Sequence, residues 1–85
     1  MKLPKHLLDL PEILLTTQDG VVRLRITEEV PLSSSVEVLT IWNILHALRK
    51  TDGNARKSAE KLALSKSNFY RLIRKYEIAL KWWEE

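Results

Sequence analysis

From Thr51 to Tyr76 the chain reads TDGNARKSAEKLALSKSNFYRLIRKY, two short amphipathic patterns joined by the break Leu62-Ala63-Leu64-Ser65. In the second pattern Phe69, Leu72, Ile73 and Tyr76 follow the i, i+3, i+4, i+7 rule, which predicts a helix with those side chains on the core and Ser65 as its N-cap. Opposite them, at about 100° of rotation per residue, fall Ser67, Arg71 and Arg74, flanked by Lys66, Tyr70 and Lys75, with Asn68 at the margin. The first pattern opens on Gly53-Asn54, a turn followed by a good N-cap, and repeats Ala55, Ala59 and Leu62 at helical spacing. Its small Ala59 permits close approach of a crossing helix.

Charge is concentrated in the same stretch. The 85-residue chain carries a formal charge of only +3. Yet Arg49, Lys50, Arg56, Lys57, Lys61, Lys66, Arg71, Arg74 and Lys75 stand against only Asp52 and Glu60 between positions 49 and 76, while residues 1–48 are slightly acidic. A positive field focused beside helix N-termini suits a polyanion with regular phosphate spacing. The start of the first helix, with Asn54, Arg56 and Lys57, offers free amides and two cations to a phosphate. The second helix fits the major groove of a DNA duplex, where Arg bonds guanine O6 and N7 and Asn bonds adenine N6 and N7. Arg71, Asn68 and Lys66 are then suited to base edges, and Arg74 and Lys75 to phosphates.

Upstream, residues 31–50 predict a long helix. Ser33, Ser34 and Ser35 are candidate N-caps, Glu37 belongs to the first turn, and Arg49 and Lys50 complement the dipole in the last. Val38, Ile41, Ile44, Leu45 and Leu48 form one core stripe. Val36, Leu39 and Trp42 lie off that stripe, beside Asn43 and His46, and so require a second covering surface. A twin subunit supplies one; the N-terminal or C-terminal segment of the same chain is the alternative.

Residues 1–30 read as a linker or a hairpin. Asp19-Gly20 is a favoured two-residue turn between ILLTTQ and VVRLRI, and Val22, Leu24 and Ile26 would share a face opposite Arg23 and Arg25. A lone hairpin is marginal in water, which keeps the linker reading open.

Enzymatic function is not expected. Two glycines form no phosphate-cradling loop, there is no cysteine, and His6 and His46 lack a nucleophile or metal-ligand spacing. No metal or cofactor is implied. No apolar stretch reaches membrane-span length, and Met1-Lys2-Leu3-Pro4 is not followed by the apolar core of a secretory leader, so a cytoplasmic location is expected. The C-terminal Lys81-Trp82-Trp83-Glu84-Glu85 is expected to pack on the domain or on a dimer mate, with Tyr76, Leu80 and Trp83 on one helical face.

The stretch from Pro31 to Ile78 resembles the Fis-type helix-turn-helix, above all the C-terminal output domain of NtrC-family, sigma-54-dependent transcriptional activators. The matching positions are Pro31-Leu32, Glu37, Ile44, Ala47-Leu48, Thr51, Gly53-Asn54, Ser58-Ala59, Leu62, Leu64, Ser65, Phe69-Tyr70-Arg71 and Lys75-Tyr76, without a gap. Three residues depart from the family pattern. Ala63 stands where the turn usually has glycine, Ser58 replaces the first alanine of a pair, and Glu77 replaces the glycine that normally stops the last helix. Ala63 must then adopt a strained backbone or the turn must open, and the last helix is free to run on past Glu77.

The resemblance implies an all-α fold: a long dimerisation helix, about residues 34–50, plus a two-helix DNA-reading motif, with the N-terminal hairpin as an optional addition. It implies a homodimer on an inverted repeat of double-stranded DNA, with contacts at Asn54, Arg56, Ser65, Lys66, Asn68, Tyr70, Arg71, Arg74 and Lys75. Lys57 and Ser67 join this set from the residue reading alone. Pro4 to Ile13 is similar to the Leu-Pro stretch closing the ATPase lid of such activators, which makes residues 31–85 the DNA-binding domain of a longer, nucleoid-associated regulator that meets sigma-54 RNA polymerase. A free-standing, DNA-bending Fis-like protein is the alternative, and a protein-interaction module without DNA binding is a further one.

Overall fold

The computed structural model describes residues 1–84. Its elements in order are a one-turn helix α1 (Lys5–Leu8), strands β1 (Ile13–Gln18) and β2 (Val21–Ile26), the long helix α2 (Leu32–Lys50), helices α3 (Ala55–Lys61) and α4 (Lys66–Lys75), and a closing 3-10 turn (Trp82–Glu84).

The all-α expectation is corrected: an antiparallel two-stranded sheet makes this a mixed α and β fold. The hairpin forms where Asp19 and Gly20 both take positive φ, 54° and 73°, the geometry whose twist matches paired strands. Gln18 pairs with Val21 and Ile13 with Ile26. What rescues this hairpin from marginality is α2 beneath it. Val22 is buried, the Trp42 indole donates to the Val22 carbonyl at 3.3 Å, and the Arg49 Nε donates to the Gly20 carbonyl at 3.2 Å. A side chain at position 20 would meet Arg49 at 2.8 Å, so the glycine serves both the turn and this close approach.

Helix α2 carries the core. Val38, Ile41, Ile44, Leu45 and Leu48 are essentially inaccessible to solvent, as the periodicity predicts. Its start differs from expectation. Pro31 is the cap residue and no side chain caps the helix; the Pro31 carbonyl receives the Ser34 and Ser35 amides, and the three serines lie inside the first turns. Proline suits this boundary because its fixed φ precedes a helix without spending a needed donor. Glu37 therefore sits beyond the first turn.

Helices α2, α3 and α4 all end the same way. Asp52, Ala63 and Glu77 take positive φ of 54°, 55° and 51°. In each case the next amide reaches back to a carbonyl five residues earlier: Gly53 to Leu48, Leu64 to Ala59 and Ile78 to Ile73. This is the Schellman arrangement, usually built on glycine. The expectation that α4 runs on through Glu77 is thus overturned: burying Ile78 against the core, with its amide on Ile73, ends the helix without glycine.

Candidate nucleic-acid interface

Helices α3 and α4 are joined by residues 62–65 and capped as their sequences predict. The Asn54 side chain accepts the Lys57 amide at 3.0 Å, and the Ser65 hydroxyl accepts the Asn68 amide at 3.2 Å. Both cap side chains therefore spend acceptor capacity on the backbone. Ser65 also lies 3.4 Å from the Ser67 hydroxyl. Ser58 is fully buried and 2.7 Å from the Thr51 hydroxyl, which links the end of α2 to α3.

One side of α4 is anchored: Phe69 is inaccessible, Ile73 and Tyr76 are buried, and Leu72 is half-buried. The other side is free. Lys66, Ser67, Asn68, Arg71, Arg74 and Lys75 are all exposed, and Tyr70 is half-buried with its ring edge-on to Phe69. On α3, Arg56 and Lys57 are exposed. Among the described residues Arg56, Lys57, Lys66, Arg71 and Arg74 enter no salt bridge, so their charge is uncommitted. Among the described residues no hydrogen bond or ion pair joins the α3 cations to the α4 set.

Two cations of the basic segment are drawn elsewhere. Arg49 lies over the Trp83 ring at 4.9 Å while bonding Gly20, so it braces the hairpin and the C-terminal segment. Lys75 lies 3.9 Å from Glu37 and 5.2 Å from the centre of the Tyr76 ring. Glu37 is the hub of a network the periodicity does not reveal: it accepts from the Tyr76 hydroxyl at 2.8 Å and contacts His6 at 2.6 Å. Burial raises its pKa, but the hydrogen bonds from Tyr76 and His6 and the nearby charges of His6 and Lys75 outweigh this and hold it below 4.5. Burial, reinforced by the Glu37 carboxylate, pushes Tyr76 up to about 12.

The surface assigned to a twin subunit is divided. Trp42 is half-buried, bonded to β2 and stacked on His46 at 4.8 Å, so the hairpin covers it. Val36 and Leu39 remain 58% and 45% exposed, beside Leu32 at 79%. The C-terminal tryptophans pack on this same chain, Trp82 donating to the Leu45 carbonyl at 2.8 Å, but in a 3-10 turn instead of the expected helical face.

No helix among the described residues is long and apolar enough to cross a membrane, and none of their acidic and histidine side chains cluster as a metal site. Compared with known proteins, the chain matches no family model, no curated protein and no solved structure.

Proposed function

We propose that this chain binds double-stranded DNA sequence-specifically as a homodimer, with α4 in the major groove and the α3 N-terminus on a phosphate. The observation that carries this reading is the uncommitted face of α4. Asn68, Arg71 and Arg74 project from a helix whose other side is held by the inaccessible Phe69. A rigid helix with free guanidinium and amide groups is the form in which protein side chains read base edges. The exposed Leu32, Val36 and Leu39 on α2 supply the apolar surface for a second copy. The ordered resemblance from Pro31 to Ile78 supports a more specific role: the DNA anchor of a bacterial, cytoplasmic, sigma-54-dependent activator, bound at the nucleoid and meeting RNA polymerase through other parts of a longer protein.

Selection of duplexes from a random pool tests it. An inverted repeat with half-sites about 10 base pairs apart is expected from two copies on one face of the duplex. Enrichment only of flexible steps, without preferred bases, would replace it with an architectural role. No retention of any duplex at low salt would end the DNA reading.

A further inference from the structure

The cationic surface does not stop at α4. The N-terminal segment folds back along the helix's C-terminal end: the Lys2 amide donates to the Tyr76 carbonyl at 2.8 Å, Leu7 is buried in the core, and His6 reaches Glu37. This creates an open groove whose walls carry Lys2 and Lys5 on one side and Arg74 and Lys75 on the other. Four cations from opposite ends of the chain thus line one concavity with Glu77, and one of them, Lys75, also lies 3.9 Å from Glu37. Lys2, Lys5 and Arg74 enter no salt bridge among the described residues.

We propose that this groove is a second phosphate-binding element, in which Lys2 and Lys5 engage the DNA backbone flanking the bases read by α4. It rests on the DNA-binding reading above and extends it. Arg74 and Lys75 belong both to the exposed side of α4 and to the groove, so the two surfaces are continuous. A duplex whose major groove holds α4 carries its sugar-phosphate strand past the helix's C-terminal end. There the helix's carbonyl ends repel an anion, so a phosphate is held only because Lys2, Lys5 and Arg74 outweigh them. Such contacts fix register and add affinity without adding sequence preference.

The salt dependence of binding tests this, because each neutralised phosphate adds about 0.9 to the slope of log affinity against log salt. The K2A/K5A variant keeps the Lys2 backbone bond and removes only exposed side chains, and R23A/R25A removes the same charge from the hairpin. Measured by fluorescence anisotropy on the selected site and on a random duplex, the slope for K2A/K5A should be shallower than wild type by about 1.8 for each bound subunit, about 3.6 for the dimer. Affinity should fall by the same factor on both duplexes, and R23A/R25A should keep the wild-type slope. A K2A/K5A slope equal to that of wild type, or equal shallowing in both double variants, overturns the groove while leaving the DNA reading intact. A wild-type protein that binds no duplex overturns both.

Discussion

The Thr51 and Ser58 hydroxyls lie 2.7 Å apart at the corner where α2 gives way to α3, and Ser58 is fully buried. Thr51 also donates toward the Ala47 carbonyl at 3.0 Å, so Ser58 supplies the proton for the bond between them when Thr51 keeps that partner. Ser58 is thus buried without becoming a polar orphan; indeed no buried side-chain polar atom among the described residues lacks a partner. Removing Thr51's hydroxyl strands that of Ser58, so Thr51→Val should destabilise by about 1–3 kcal/mol. Ser58→Ala should cost about 1 kcal/mol, and the double variant should recover part of the sum. Urea unfolding of the four proteins gives the coupling, and strict additivity would show the two hydroxyls to be independent.

Ala63 and Glu77 hold left-handed backbone where glycine is unstrained. An L-residue loses roughly 1–2 kcal/mol there, and glycine returns part of this as unfolded-chain entropy. Ala63→Gly and Glu77→Gly should therefore each stabilise by about 0.5–1 kcal/mol, raising Tm by several degrees in a domain this small. A lower Tm in both would mean that the caps are not strained. Val at position 63 should act in the opposite direction, since β-branching aggravates positive φ.

Stability should depend on pH at both extremes through one pair. Glu37 has a depressed folded pKa, so its contribution is complete above its ordinary value of 4.5 and is lost as pH falls through the lower folded value. Tyr76 is raised from 10.0 to about 12, so its contribution is complete below pH 10 and is lost as pH climbs towards 12. Thermal melts should show both losses. Glu37→Gln should flatten the acid limb and Tyr76→Phe the alkaline one; unchanged profiles in these variants would assign the pH dependence to other groups.

Much of this organisation was legible because it is local. Asp19-Gly20 specifies its turn through φ alone, and the stripe from Val38 to Leu48 follows from helical rotation. The Asn54 and Ser65 caps need only three residues of context. The illegible parts depend on distant partners. Glu37 meets His6 and Tyr76 across 31 and 39 positions, and no period in the sequence links them. Arg49 reads as one more cation of the basic stretch until the hairpin carbonyl and Trp83 claim it. Periodicity marks Trp42 as apolar beyond the core stripe, but only the folded hairpin shows what covers it. The all-α reading failed for the same reason, since a hairpin's stability rests on the helix beneath it.

That division of the α2 surface separates folding from association. Trp42→Ala removes the indole bond to β2 and its stacking on His46, so it should destabilise the folded chain by several kcal/mol. Val36→Lys and Leu39→Lys alter side chains that are exposed in the single chain and should leave its circular dichroism and Tm nearly unchanged at low concentration. If these residues form the proposed twofold contact, sedimentation should shift from dimer to monomer in both lysine variants. A wild-type protein that is monomeric at every accessible concentration would remove the twofold contact.

Arg71 and Arg74 are exposed on the same helix and enter no salt bridge among the described residues, yet they should behave differently. Arg71 lies one turn nearer the N-terminus of α4, where recognition helices reach base edges, while Arg74 lines the groove proposed for the phosphate backbone. Arg71→Ala should weaken binding to the selected site by about 1–3 kcal/mol, relax preference at one position per half-site and spare much of the affinity for random duplex. Arg74→Ala should weaken every duplex by a similar factor and reduce the salt slope by about 0.9 for each bound subunit, about 1.8 for the dimer. Lys75 is a poorer probe because its replacement also disturbs Glu37 and Tyr76. Binding titrations on the selected site, single-base variants of it and random DNA distinguish the two roles. Equal losses on all of them from both substitutions would reassign Arg71 from base reading to the phosphate backbone.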